Sequence, residues 1–147
     1  MSQPILILNG PNLNRLGERE PHIYGMTSLA DVEQMCKERV AKRGYTIAFH
    51  QSNREYEIID WIHEGIDNAS GIIINAGAFT HTSVPILDAL RMFDKPIIEL
   101  HISNPHRREA FRQVSYISYV ATGSICGLGI SGYLIAVDAM VNILNAK

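Results

Sequence analysis

Polar side chains follow three predicted strands where each strand ends. Asn75 comes directly after one apolar run and Asn12 follows another with three residues between, while His101 ends a third run and Ser103 follows it closely. The carboxyl ends of parallel strands meet at one edge of a sheet, and ligands bind at that edge in open α/β sheets. We therefore expect these side chains to converge on one functional site.

Two further residues belong to loops that start at the same edge, His81 and Arg112. Arginine keeps its charge at any usable pH, and its planar guanidinium suits a carboxylate. Arg112 and Asn75, together with the backbone N–H groups of Ile102 and Ser103, can form a clamp for a carboxylate. The sequence therefore predicts a site for a small acidic molecule.

Two pairs of residues can move protons. Glu99 and His101 are two apart on a strand and share a face, so the carboxylate can hold the imidazole and favour its protonated, acidic form. The pKa of a free tyrosine is about 10. Tyr24 therefore needs a nearby cation to act as a base, and Arg19 lies five residues before it. Such a pair suits removal of a proton next to a carbonyl with loss of a hydroxyl opposite.

The loop that carries Arg19 and Tyr24 is unusually long. Residues 8–25 contain three asparagines and several turn-forming glycines and prolines, whereas strand-to-helix connections usually take roughly 2–6 residues. Long loops of this kind are often lids or binding loops. We expect a lid at about residues 13–26.

The rest of the chain alternates between strand and helix patterns. We expect a first helix capped by Ser28 and ending near Gly44, a second capped by Ser52 or Asn53, a third capped by Ser83, and a last one ending near Leu144. The predicted strands are 5–8, 45–50, 71–75, 96–101 and a short one near 119–121. This rhythm predicts one α/β domain over residues 1–147, a flavodoxin-like three-layer sandwich whose five-stranded parallel sheet has the order 2-1-3-4-5.

Composition limits the classes of partner. The 147 residues carry a formal net charge of −2, with 46% hydrophobic and 19% charged residues, which is typical of a globular domain without a footprint for nucleic acid. No apolar run reaches the roughly 20 residues of a membrane span. With two cysteines and no signal-peptide pattern, the expected location is the cytoplasm.

Several motifs together resemble one family, the type II 3-dehydroquinate dehydratases. They are spread in order over essentially the whole chain: residues 8–14, 16–21 and 24–25 in the long loop, 75–78 with 80–83, 99–104, 108–112, and 127–133. The resemblance implies dehydration of 3-dehydroquinate to 3-dehydroshikimate in the shikimate pathway, by trans elimination through an enolate. It implies no metal, no other cofactor and no covalent intermediate.

The resemblance also implies a role for each site residue. Tyr24 would be the base, Arg19 would favour its phenolate, Asn12 would hold the enolate through a water, and His101, oriented by Glu99, would protonate the leaving hydroxyl. The substrate would be bound by Asn75, His81, Ile102, Ser103 and Arg112. Asp88 matches a position that reaches substrate from a neighbouring subunit, which implies a homododecamer built as a tetramer of trimers.

Other readings make distinct predictions. A lysine Schiff base is disfavoured, because none of the four lysines is expected at the site edge. A flavodoxin-like module for flavin or another small ligand shares the expected fold, but it gives Arg19, Tyr24 and His101 no role. Residues 127–132 fit GxGxxG, but too little chain follows for a dinucleotide site, so we expect close backbone packing there.

Overall fold

A computed structural model describes residues 2–18, 22 and 26–146 of the chain. Its five strands form one parallel sheet in the order β2-β1-β3-β4-β5, which confirms the predicted topology. The strands are β1 Ile5–Asn9, β2 Ile47–Gln51, β3 Gly71–Asn75, β4 Ile97–His101 and β5 Gly123–Cys126. Strands β1, β3 and β4 are buried along their whole length, as expected for a sheet covered on both faces.

Within the part of the chain that the structure describes, the sheet is covered by the α-helices α1 Leu29–Ala41, α2 Glu55–Asn68, α3 Val84–Arg91 and α4 Ser131–Asn145. Alternate residues of β1 point to opposite faces. Leu6 and Leu8 pack in the core under α2 and α3, whereas Ile5 and Ile7 pack under α1 and α4. Among the described residues, no helix combines the length and the apolar character needed to cross a membrane.

The helix starts follow their capping chemistry. Ser28 forms a capping box with Asp31 at the start of α1, and the Ser83 hydroxyl accepts the N–H of Ile86 at the start of α3, as predicted. The predicted cap of α2 is wrong, because the helix begins after Arg54. The Ser52 hydroxyl bonds to the Arg54 N–H and to Glu57 instead, which holds the turn before the helix.

The last strand lies later than predicted. Residues 117–119 form a 3₁₀ turn, and β5 begins at Gly123. The apolar side chains that suggested a strand have other partners, since Ile117 is buried in the core and Val120 and Ala121 pack against it. The segment before this turn contains two more 3₁₀ turns, Pro105–Arg107 and Ala110–Arg112.

Candidate active site

A cleft of about 200 Å³ lies at the carboxyl edge of the sheet. The loops that follow β1, β3 and β4 form its walls, so the topology alone brings the predicted polar residues together. Its lining includes most of the predicted site residues, namely Asn12, Asn75, His81, His101, Ile102, Ser103 and Arg112.

The loops after β1 and β3 are held against each other by their backbones. The Gly10 N–H donates to the Asn75 carbonyl at 2.8 Å, and a Cβ added at Gly10 would lie 2.2 Å from the Ala76 carbonyl oxygen. Only glycine fits this approach. Asn12 follows with a positive φ of 72°, and its N–H donates to the Asn53 side chain at 2.9 Å. The start of the long loop is therefore fixed at the edge of the cleft.

The Asn75 amide is oriented by a buried network that crosses the sheet. Its Nδ2 donates to the Tyr133 hydroxyl at 3.0 Å, and this hydroxyl donates to the Asn9 side chain at 2.6 Å. Asn9 in turn donates to the His50 carbonyl at 3.0 Å. Burial raises the pKa of Tyr133 well above its usual value, so the hydroxyl stays protonated and remains a donor. Asn75 is thereby held by residues of β1 and α4.

His101 and Glu99 form a close pair at the end of β4. Their Nε2 and Oε2 atoms are 2.6 Å apart, and the Glu99 carboxylate is only 2% exposed. Burial raises the pKa of Glu99, but hydrogen bonds from His101, Ser118 and Ser115 outweigh it and leave the pKa below its usual value. Because an ionised carboxylate only accepts hydrogen bonds, His101 Nε2 carries the proton in this pair. Nδ1 is therefore the nitrogen that can exchange a proton with a bound molecule.

The other cleft histidine is also oriented by one ring nitrogen. His81 Nδ1 donates to the Val114 carbonyl at 2.7 Å, which leaves Nε2 available for a ligand. Arg112 lines the cleft beside it, and its Nε donates to Glu109 at 3.1 Å. Ser103 accepts a long hydrogen bond of 3.4 Å from Arg108. The wall formed by residues after β4 is therefore rich in donors for an anionic group.

The GxGxxG segment supports this wall. The Gly127 N–H donates to the carbonyls of His101 and Ser103, and the Gly129 N–H donates to that of Ile102. Gly127 has a φ of +84° and a Cβ there would lie 3.0 Å from Asn104, so close backbone packing explains the glycine. These contacts hold the loop after β4 at the cleft.

Two predicted residues within the described part of the chain do not line the cleft: Glu99, which bonds to His101, and Asp88. Asp88 lies on α3, where its side chain is exposed and pairs with Arg91 at 3.7 Å. Arg19 and Tyr24, the proposed cation and base, lie outside the described residues. The loop that carries them leaves the cleft through Arg15 and Leu16, which both line it.

Two arginines of the cleft were not assigned roles from the sequence, Arg15 and Arg108. Arg108 belongs to one of the motifs that carry the resemblance and Arg15 lies between two of them, but an arginine in a polar loop gives no signal for the direction of its side chain. The available clue was that each lies close in the sequence to a predicted site residue, Arg15 to Asn12 and Arg108 to Arg112.

Comparison with known proteins identifies the family. The family model for dehydroquinase class II matches residues 3–141. The chain is 58% identical over 139 residues to 3-dehydroquinate dehydratase 2 of Agrobacterium fabrum, covering 95% of both chains. It is 52% identical to the 3-dehydroquinate dehydratase of Streptomyces coelicolor, covering 97% of this chain and 92% of that one.

A solved structure has the same fold. The type II dehydroquinase from Propionibacterium acnes superposes with a TM-score of 0.91 at 42% identity, covering 97% of this chain and 98% of that chain. The match includes the parallel sheet and the loops that build the cleft, since it extends over nearly the whole length of both chains. The chain therefore belongs to the class II dehydroquinase family.

Proposed function

We propose that this chain dehydrates 3-dehydroquinate to 3-dehydroshikimate in the shikimate pathway. The observation that carries the proposal is the position of His101, which has the Glu99 carboxylate at 2.6 Å behind it and an arginine-lined cleft in front. An acid of this kind beside an anion-binding wall suits elimination of a hydroxyl from a small carboxylic acid. Family membership supports the same reaction.

The reaction needs one base and one acid on the substrate. Tyr24, as phenolate beside Arg19, takes the proton from the carbon next to the ketone, and an enolate forms. Asn12 helps to hold this enolate through a water. The hydroxyl then leaves with a proton from His101, so one proton is taken and one is given, and water and an enone are the products. The roles of Tyr24, Arg19 and Asn12 rest on the family resemblance.

Substrate binding is assigned to the wall after β4 and to its neighbours. Arg112 faces the carboxylate with a guanidinium fork, and Asn75 presents an amide held by Tyr133. The remaining contacts come from His81, Ile102 and Ser103, all of which line the cleft. Fixed donors of this kind lose little freedom when the substrate binds.

The positions of the lysines support elimination without an imine. Lys95 donates to the carbonyls of Ile66 and Ala69 at the end of α2, on the side of the sheet where β4 begins. Lys37 lies on α1 and Lys42 directly after it, and neither is among the residues that line the cleft. Borohydride added with substrate should therefore not inactivate the enzyme, because inactivation requires an imine between a lysine and the substrate.

We further propose that each site is completed by a neighbouring subunit through Asp88. Val84, Asp88 and Met92 are four residues apart along α3 and share one face. Val84 is 45% and Met92 59% exposed, which is unusual for apolar side chains and typical of a contact surface. This stripe, residues 84, 88 and 92, is where we place the contact with the next chain.

A second exposed apolar patch lies next to the cleft. It consists of Phe111, whose ring lies 5.0 Å from the Arg112 guanidinium, and of Val114 and Tyr119, which line a cavity together with Arg112; all three are more than half exposed. If the α3 stripe of one chain packs on this patch of the next, Asp88 approaches the neighbour's cleft. Such a head-to-tail contact closes into a ring, which fits the trimers of the proposed homododecamer.

The remaining proposals concern the chain as a unit. We assign it one catalytic domain over residues 1–147 with a lid at about 13–26. Its two cysteines are unpaired, Cys36 in the core and Cys126 partly buried. Free thiols suit the reducing cytoplasm, where we place the enzyme.

The decisive test is turnover of 3-dehydroquinate by the purified protein after treatment with a metal chelator. The product is a conjugated enone carboxylate, so its formation is followed by ultraviolet absorbance. We expect a rise that survives the chelator. A folded protein that gives no rise would overturn the assignment, and a yellow colour would then favour the flavin-binding alternative.

A further inference from the structure

The Glu99 carboxylate is a buried anion whose two oxygens are both occupied. Oε2 accepts from His101 Nε2 at 2.6 Å and from the Ser115 hydroxyl at 2.7 Å, while Oε1 accepts from the Ser118 hydroxyl at 2.6 Å. A buried carboxylate is stable only when such donors replace water. Two of the three donors are serine hydroxyls that do not line the substrate cleft.

These serines are held in place by the backbone around them. The Ser118 N–H donates to the Ser115 hydroxyl at 3.1 Å, which directs that hydroxyl's own proton towards Glu99. The Tyr116 N–H donates to the Thr80 carbonyl at 2.9 Å, and Ile117 is buried in the core. The 3₁₀ turn therefore presents the two hydroxyls to Glu99 from a rigid support.

We infer that Ser115 and Ser118 are positioning residues of the general acid: they fix the Glu99 carboxylate in its ionised form, and through it they orient His101 for proton transfer to the leaving group. The inference rests on the proposed dehydratase function and adds two residues to its machinery. Neither serine touches the substrate. Their effect reaches the reaction only through the contact between Glu99 and His101.

The physical consequence concerns the charge on Glu99. Each hydrogen bond favours the ionised form, so removal of a hydroxyl raises the pKa of Glu99. A neutral Glu99 stabilises the protonated form of His101 less than a carboxylate does, and it also orients the His101 ring less firmly. The rate should then fall first on the acid side of the pH profile, where Glu99 becomes protonated.

Other titratable and charged groups surround the same region. A second cavity of about 430 Å³ is lined by Glu99, by His101 and by both serines. Its other titratable or charged side chains are His81, His106, Arg112, Tyr119 and Cys126. The serine variants leave all of these unchanged, so a shift in the profile reports on the Glu99 pair.

The test uses an isosteric pair at Ser118, which is exposed enough to accept a larger side chain. Ser118→Thr keeps the hydroxyl, whereas Ser118→Val has the same shape without it. We expect about a tenfold fall in kcat for the valine variant, with KM little changed, and rescue by threonine. The acid limb of kcat should move upward by on the order of one pH unit in Ser118→Val and in Ser115→Ala.

Ser124→Ala is the matched control. Ser124 pairs with Glu99 in the sheet register and lines the same cavity, but it is not one of the three donors to the carboxylate. Its removal should leave kcat and the pH profile as in the unchanged enzyme. A second control places Ser118→Val in a Glu99→Gln chain, where no carboxylate remains to titrate and the shift of the acid limb should vanish.

Equal pH profiles of kcat for Ser118→Thr and Ser118→Val would overturn the inference. So would a shift of the acid limb by Ser118→Val that is as large in the Glu99→Gln chain as in the unchanged one. Sedimentation of every variant shows whether assembly is preserved. Failure of the unchanged enzyme to turn over 3-dehydroquinate would instead overturn the proposed function, so the two failures are distinguishable.

Discussion

Arg112 is the residue whose proposed role in substrate binding can be tested most cleanly apart from the proton-transfer steps. Its guanidinium lines the cleft and is braced by Glu109 at 3.1 Å, and the proposed mechanism gives it no proton to transfer. We expect Arg112→Ala to raise KM about tenfold or more, with a smaller change in kcat, because a charge-assisted pair with the substrate carboxylate is lost. Steady-state kinetics on 3-dehydroquinate give both constants.

Arg107→Ala serves as the control for this substitution. Arg107 is an exposed arginine of a neighbouring 3₁₀ turn and does not line the cleft. Arg112→Lys adds a second comparison, since lysine keeps the charge but loses the planar fork. An unchanged KM in Arg112→Ala would contradict the carboxylate clamp.

Tyr24 tests the chemistry rather than the binding. Tyr24→Phe removes the phenolate oxygen, so we expect kcat to fall by at least about a hundredfold, the usual contribution of a general base. Substrate affinity, measured by calorimetry, should stay measurable because the clamp is intact. Tyr56→Phe, at an exposed tyrosine of α2, should behave as the unchanged enzyme. A near-normal rate in Tyr24→Phe would assign the base elsewhere.

At the residue scale, the sequence predicted which side chains lie together in the cleft, but not the contacts that hold each of them in place. Asn75 and His101 were found because they stand where strands end. The support of Asn75 by Tyr133, 58 positions away, has no local signal. The same is true of Ser115 and Ser118, since two serines in a polar loop read as ordinary turn residues until the fold brings Glu99 to them.

Among the secondary-structure elements, α4 has a function that its apolar sequence pattern does not indicate. Its Tyr133 hydroxyl lies in the core between Asn9 of β1 and Asn75 of β3. We expect Tyr133→Phe to lower the free energy of unfolding by about 1–3 kcal/mol, because two buried polar groups lose their partner. KM should also rise, because the Asn75 amide loses the partner of its Nδ2 and is held only by the 3.3 Å bond from the Gly77 N–H to its Oδ1.

Tyr45→Phe is the control for this effect. The Tyr45 hydroxyl donates to Asn145 at 2.7 Å between the loop before β2 and the last turn of α4, far along the helix from Tyr133. Its loss should change stability little and leave KM unaltered, since exposed hydrogen bonds contribute little. If Tyr133→Phe lowers stability with KM unchanged, the network supports the core but does not orient Asn75.

The element predictions succeeded where burial and periodicity agreed. Strands β1, β3 and β4 are apolar throughout and are found as predicted, with small differences at their ends. The last strand was misplaced because β5 lies at the sheet edge and is only partly covered, so its residues lack the strong apolar signal of the inner strands. Tertiary contacts, rather than local pattern, place the preceding apolar residues in a 3₁₀ turn.

The whole molecule raises the question of how many chains complete one site. The α3 stripe of Val84, Asp88 and Met92 presents a carboxylate between two exposed apolar side chains, and Asp88 is absent from the residues that line its own cleft. A carboxylate so placed has a role in substrate binding only if α3 packs against another copy. If the assembly is the proposed homododecamer, sedimentation should give a mass twelve times the 16.4 kDa of one chain.

Subunit complementation tests the shared site directly. Tyr24→Phe has a defective base but an intact Asp88, whereas Asp88→Ala has an intact base but lacks the carboxylate that it would lend to its neighbour. In mixed oligomers, some sites combine the Tyr24 of one chain with the Asp88 of the next. We expect these sites to have the KM of the unchanged enzyme, so a mixture made by co-refolding should show a low-KM component that the Asp88→Ala oligomer lacks.

Mixing the two variants without refolding is the control, because each oligomer retains its own constants when no subunits exchange. Co-refolded samples whose kinetics equal the sum of the separate variants would mean that each cleft is complete within one chain. Asp88 would then act only on the surface of α3, where it pairs with Arg91. A low-KM component that grows with the share of Tyr24→Phe chains would instead show that the catalytic unit is the contact between two chains.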